Sequence, residues 1–219
     1  MSDRRRLLLV NPNTTVAYTE RMVRAAAAAA PDGVDVVGAT VPAGVPLIRD
    51  EADLAVAAAA VAALPDTRAV TEDAVIVAAF ADPGVEALRA RLSVPVVGIA
   101  EAAIRATAPR PFSVATTLPS LNAAIRRRVK ACGATARFTG IRTPPGDGAA
   151  LMREPERLVD ALAALVEAGV ADGAEAVIIG GGPLSDAAAA LRARTTVPVV
   201  EPVPAAVRAL TGADALRSG

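Results

Sequence analysis

The side chains that could do chemistry fall in short polar interruptions between apolar runs. Asp82 in "AAFADPG" and Glu101 in "GIAEAA" are carboxylates able to give or take a proton. Asn11, Pro12, Asn13 and Thr14 in "NPNTT", with Thr116 and Thr117 in "VATTLPS", bring amide and hydroxyl contacts. The run Gly180, Gly181 and Gly182 in "GGGPL" lets backbone approach a ligand closely, with Pro183 beside it as a further contact, and Ala79, Phe80 and Ala81 offer a second set of backbone groups. Such turns bind carboxylates or developing oxyanions. Much else is excluded by composition. The 219 residues contain no His and one Cys, Cys132. A Ser-His-Asp triad is therefore absent, no disulfide forms within the chain, and zinc lacks its usual ligands. The single lysine, Lys130, lies in "IRRRVKACG", an Arg-rich helix that does not suit a Schiff base. No metal and no cofactor is expected. Chemistry must come from carboxylates, hydroxyls, Tyr18, backbone N–H groups and water.

Each carboxylate also has a plainer reading. Asp82 precedes Pro83–Gly84, which reads as the N-cap of the next helix with proline at its first position. Glu101 lies in the first turn of a helix, where negative charge is favoured. Asn and Thr at the other turns can act as simple caps.

The elements that hold these turns alternate. Apolar strands are expected at 5–10, 34–39, 74–80, 94–99, 112–117, 136–141, 174–181 and 197–202. Helices are expected near 16–30, 50–64, 83–92, 119–131, 153–171, 185–193 and 203–210. Strands that are apolar throughout, separated by helices, predict an α/β fold with parallel sheets covered on both faces. The alanine tracts Ala25–Ala30 and Ala57–Ala60 fit as helix formers.

An internal repeat goes further. "LRARLSVPVV" at 88–97 matches "LRARTTVPVV" at 191–200, and "AVIVAAFADPGVEALRAR" aligns with "AVIIGGGPLSDAAAALRAR". The repeat implies two similar parallel-sheet α/β subdomains, expected to be related by a pseudo-twofold axis with a cleft between them. The first takes residues 1–98 plus about 205–219, the second 99–204. Ala79 pairs with Gly181 in this alignment. Four strand tips would line the cleft: Asn11–Thr15, Ala79–Asp82, Thr116–Thr117 and Gly180–Leu184.

Hydrophobic residues make up 53% of the chain and charged ones 21%, with formal net charge zero. This suits a buried core and gives no basis for a nucleic-acid or membrane-surface partner. Arg4–Arg6 is followed by only four apolar residues, too few for a leader or a span. A cytoplasmic protein is expected, and its Ala-rich helices suit a homo-oligomer.

Taken in order, "LLLVNPNT", "AAFADPG", "VPVVGIAEAA", "VATTLPS" and "GAEAVIIGGGPL" resemble the aspartate/glutamate/hydantoin racemase superfamily, in its hydantoin and allantoin racemase branch. The resemblance spans nearly the whole chain. It implies two α/β subdomains about a pseudo-twofold axis, no cofactor, and a small anionic or ureide substrate. It also implies that Asn11, Pro12, Thr14, Thr116 and Thr117 lie near that substrate, and that "PAGVPLI" (42–48) touches it, with Val45 and Leu47 as an apolar wall. "RTPPGDGAA" (142–150) reads as a lid or a plain connection.

In such racemases one cysteine from each half faces the substrate carbon. One thiolate removes the α-proton and the other thiol returns a proton on the opposite face. Here those positions are Ala79 and Gly181, and Cys132 is at neither. Two-thiol racemisation is therefore not expected. One reading is an enzyme that uses the anion-binding frame for isomerase, lyase or hydrolase chemistry, with Asp82 or Glu101 assisting. The other is a catalytically inactive small-anion binding protein of the same fold. Deliberate removal of the thiols fits poorly with a glycine inside "GGGP".

Overall fold

The computed structural model describes residues 4–192, 194, 195 and 197–212. Ala193 and Thr196 of the second repeat segment, and the end of the 205–219 stretch, lie outside them. The first sheet is built from β1 (Arg5–Asn11), β2 (Val34–Thr40), β3 (Ala74–Val77) and β4 (Val96–Gly98), in the order β2-β1-β3-β4. The second uses β5 (Phe112–Ala115), β6 (Phe138–Arg142), β7 (Ala176–Ile179) and β8 (Val199–Val200), in the order β6-β5-β7-β8. All pairings are parallel. Counted within its own half, each sheet therefore has the same strand order.

Strand composition explains the layering. Leu7–Val10, Ala74–Val77 and Ala176–Ile179 are apolar on both faces, and all are buried. Such strands need helices on each side. The connections supply them: α1 (Val16–Ala29), α2 (Glu51–Ala62), α3 (Leu64–Thr67), α4 (Val85–Arg91), α5 (Ile99–Ala106), α6 (Asn122–Ala131), α7 (Gly148–Leu151), α8 (Pro155–Ala171), α9 (Ser185–Leu191) and α10 (Pro202–Thr211). One core joins Leu7, Leu9 and Ile76 of the first sheet to Phe112, Val114 and Ile178 of the second through α5 and α10. Separate cores lie on the outer faces, one under α8 and α9 and one under α2 and α4.

The expected elements are present; β1 and β2 each run one residue past the expected range, while β3, β4, β5, β7 and β8 are shorter than their apolar runs. β3 stops at Val77 and β7 at Ile179; Ala78 and Gly180 each still donate one N–H to the neighbouring strand, to Val10 O and Ala115 O at 2.8 Å, and the residues after them leave the ladder. The 142–150 stretch is not wholly irregular. Asp147 accepts the N–H groups of Ala149 and Ala150 and starts the short α7. Among the described residues no helix is long and apolar enough to cross a membrane.

Candidate functional site

Parallel strands carry their carboxyl-terminal tips to one side, and ligand sites in open α/β sheets form there. The tips of β1, β3, β5 and β7 converge on a cavity of about 50 Å³. That is several times the roughly 10–15 Å³ that one water requires. The first half contributes Asn13, Ala78–Phe80, and Leu47 with Ile48 from the loop after β2. The second contributes Thr116–Leu118, Gly180–Leu184, Leu121 and Ile125 on one face of the α6 region, and Met152 after α7. None of these side chains is ionisable and none is a thiol.

Three hydrogen-bonded arrangements hold the tips. At β1, fully buried Asn11 shares the two hydrogens of Nδ2 among Asn13 Oδ1 (3.2 Å), Thr15 O (3.1 Å) and Thr19 Oγ1 (2.9 Å). Asn13 Oδ1 also accepts the Thr15 N–H at 3.1 Å. Both contacts fall on the oxygen, which leaves the Asn13 NH₂ for the cavity. At β5, Thr116 donates its hydroxyl to Gly180 O at 2.7 Å and ties two tips of the second half together. Between the halves, a Cβ on Gly182 would stand 2.8 Å from Ala78 O, so only glycine allows the β7 tip to lie against the β3 tip.

The backbone at these tips has spare donors. Among the described residues, the N–H groups of Ala79, Phe80, Thr117, Leu118 and Gly182 have no backbone or side-chain acceptor within hydrogen-bonding geometry. Buried N–H groups are normally paired. All five belong to residues that border one cavity, from both sheets, and donors of this kind are suited to hold a carbonyl oxygen or an oxyanion.

Asp82 and Glu101 are placed elsewhere. Neither borders the cavity. Asp82 is 2% exposed and does not cap its own helix: α4 begins at Val85 behind Gly84, whose φ is +78°. Instead its carboxylate accepts Ala100 N–H at 2.8 Å and Glu101 N–H at 2.9 Å, at the start of α5. The residue at that helix's own N-cap is Gly98, which has no side chain to offer. A Cβ there would fall 2.0 Å from Asp82 Cγ, so the glycine makes room for the borrowed cap. Glu101 is paired with Arg89 and accepts Gly98 N–H at 3.2 Å. Burial pushes the Asp82 carboxyl up to about 7, while Arg128 and the two N–H donors pull it down.

The chain around Asp82 is strained. Ala81 has φ +92° and Asp82 φ +56°, two consecutive non-glycine residues in left-handed backbone. Such residues cost about 1–3 kcal/mol each and persist only where their surroundings enforce them. Arg128 of α6 supplies contacts: Nη2 reaches Asp82 O at 3.2 Å and Ala81 O at 3.4 Å, and Nε stands 3.2 Å from Asp82 Oδ2.

Of the residues expected at the site, Asn13, Ala79, Phe80, Thr116, Thr117, Gly181, Gly182 and Pro183 border the cavity. Asn11 lies behind Asn13. Pro12, Thr14 and Ala81 flank the tips without lining the space, and Thr14 donates its N–H to Val45 O at 2.9 Å. Val45 packs in a small cluster with Ile48, Ala79 and Leu121, and the wall is made by Leu47 and Ile48 instead. Leu118, Leu121, Ile125 and Met152 were not expected. The first three stand where α6 turns back over the β5 tip, a placement with no local sequence signal. Tyr18 is half-buried beneath the Arg21 guanidinium. Cys132 is half-buried at the end of α6, outside the cavity lining, and burial pushes its thiol up.

Comparison with known proteins agrees with this architecture. The model of the Asp/Glu/hydantoin racemase family matches residues 7–210. A hydantoin racemase of Paenarthrobacter aurescens is 32% identical over 209 residues, covering 93% of this chain and 88% of that one. One from Rhizobium meliloti is 34% identical over 213 residues, covering 94% and 88%. The crystal structure of an allantoin racemase from Pseudomonas fluorescens superposes with a TM-score of 0.89 at 32% identity, covering 97% of this chain and 92% of that one.

Proposed function

The chain belongs to the Asp/Glu/hydantoin racemase family, and on that premise we propose that it acts on a small cyclic ureide or amide of the hydantoin kind. The reaction proposed is stabilisation of the anion formed when the carbon beside a ring carbonyl gives up its proton. The observation that carries this is the cradle of unpaired N–H groups at Ala79, Phe80, Thr117, Leu118 and Gly182 around a cavity without charged side chains. An α-amino acid enters as a zwitterion and needs a counter-charge for its ammonium group, since an unpaired buried charge is costly. A ring imide enters neutral. Its developing oxyanion meets fixed N–H dipoles, the Asn13 amide reaches a second carbonyl, and the ring substituent lies against Leu47, Leu121 and Ile125.

No ionisable side chain lines the cavity, so in this reading a solvent hydroxide or water takes the C5 proton and solvent water returns one to the same carbon, and turnover is slow compared with a two-thiol enzyme. Asp82 and Glu101 organise the first turn of α5 and do not touch the substrate. The reading needs no cofactor and treats the two sheets as the subdomains of a pseudo-twofold pair, 1–98 with the α10 region and 99–204.

A second reading, a binding protein without turnover, is favoured by the same lack of acid, base or thiol among the lining side chains. The two separate cleanly in D₂O with 5-isopropylhydantoin as probe. Deuterium incorporation at C5 above the buffer rate supports the enzyme. Thermal stabilisation by the probe without incorporation supports the binder. Neither stabilisation nor incorporation would sink both.

A further inference from the structure

We propose that Arg128 is a positioning residue for the cavity: from α6 of the second half it holds the β3 tip of the first half in its left-handed conformation. This rests on the reading of Ala79 and Phe80 N–H as ligand donors.

The clamp is specific in geometry. One guanidinium meets three oxygens of two adjacent residues, the carbonyls of Ala81 and Asp82 and the Asp82 carboxylate. The Asp82 carboxylate in turn is fixed by Ala100 and Glu101 N–H. The Asp82 N–H closes the turn onto Ala79 O at 3.0 Å. A backbone with φ +92° at Ala81 does not hold itself, and these contacts tie it down on the side away from the cavity. The Arg128 side chain is only 13% exposed, so the guanidinium is not a solvated surface charge.

The helix that delivers Arg128 also walls the cavity. Leu121, Ile125 and Arg128 recur at spacings of four and three, one face of a helical stretch. The first two border the cavity and the third grips the tip. A ligand that displaces α6 through its apolar wall therefore also moves the donors at Ala79 and Phe80. The two halves read the ligand together.

Amide hydrogen exchange on the full chain tests this without a ligand. In Arg128→Ala, the amides of Asp82, Ala100 and Glu101 should exchange at least tenfold faster, while Val75–Val77 of β3 keep wild-type rates. Arg128→Lys, which keeps the charge but offers one donor centre, should recover part of that protection. Glu86→Ala, which removes the exposed partner 3.3 Å from Arg128, should change nothing. Leu162→Ala in the outer core should lower global stability without selectively loosening the tip. Unchanged tip protection in folded Arg128→Ala, or equal loosening in Leu162→Ala, overturns the assignment. Affinity for 5-isopropylhydantoin is measured alongside and should fall at least tenfold in Arg128→Ala, with partial recovery in Arg128→Lys. If wild-type protein does not bind the probe, the functional reading fails while the exchange data still decide the clamp.

Discussion

The Asp82 carboxylate caps a helix that begins beyond the next strand: Oδ1 accepts the Ala100 N–H at 2.8 Å, eighteen residues along the chain. A side chain that could have started its own helix instead fastens the β3 tip to the start of α5. This one contact links strain, buried charge and cavity shape, and it has a pH signature.

Burial raises Asp82 to about 7 from its ordinary value of 3.8. Between those pH values the folded protein holds a proton that the unfolded chain releases. The group's contribution to stability is thus fully present below about 4 and lost as pH rises through 7. We expect wild-type stability to include a component on the order of a few kcal/mol that declines over this range. Asp82→Asn should remove that component. Urea midpoints measured from pH 5 to 8 check it; parallel wild-type and Asp82→Asn curves would contradict it.

Placing a thiol at each of the two facing tips should give fast proton transfer. Gly181 has φ 164°, extended backbone open to any residue. A Cβ there meets Leu184 Cδ1 at 3.0 Å, the movable end of a side chain. Ala79→Cys with Gly181→Cys is expected to raise deuterium incorporation at C5 of 5-isopropylhydantoin by at least about 100-fold over wild type, within the usual range for positioned acid–base groups. Either single variant should gain far less racemisation, because inversion needs both faces.

Asn13→Ala should weaken 5-isopropylhydantoin binding about tenfold, or ~1.4 kcal/mol. It also removes the acceptor for Thr15 N–H and the Asn11 amide. Stability should fall by about 1 kcal/mol as well. Isothermal titration beside thermal melts separates the two effects. Full affinity in a folded variant would remove Asn13 from the site.

Ser113 Oγ is buried without a hydrogen-bond partner, under α8. Ser113→Ala should be neutral or stabilising by up to about 1 kcal/mol. Gly169→Ala puts a Cβ 2.3 Å from that oxygen and should cost about 1–3 kcal/mol. The double variant should recover at least half of the loss, which a double-mutant cycle in urea will read.

The parallel strands, their division into two similar sheets and the strand tips were legible because apolar runs, interrupting turns and an internal repeat are local patterns. "AVIVAAF" and "AVIIGGG" announce buried parallel strands, and the residues at their ends must sit at the carboxyl edge of a sheet. What Asp82 caps was not legible. "DPG" reads as the start of a helix, and the actual choice depended on Gly98, sixteen positions later, having no side chain. The apolar wall was half legible. The 42–48 loop does reach the cavity, yet which of its residues face inward depends on Thr14 N–H and Thr15 Oγ1 holding the carbonyls of Val45 and Pro46. Leu121 and Ile125 were hidden because the helix that carries them reads as an ordinary amphipathic segment.

The ladders end at Val77 opposite Gly98 and at Ala115 opposite Ile179, and the residues that border the cavity begin after them. Having a methyl group at Ala79 or a hydrogen at Gly181 where a cysteine would carry a thiomethyl group touches no pairing in either sheet. The hydrogen-bonded ladders do not depend on which side chains stand at those two positions. Similarity of fold therefore leaves the chemistry to be read atom by atom at the rim.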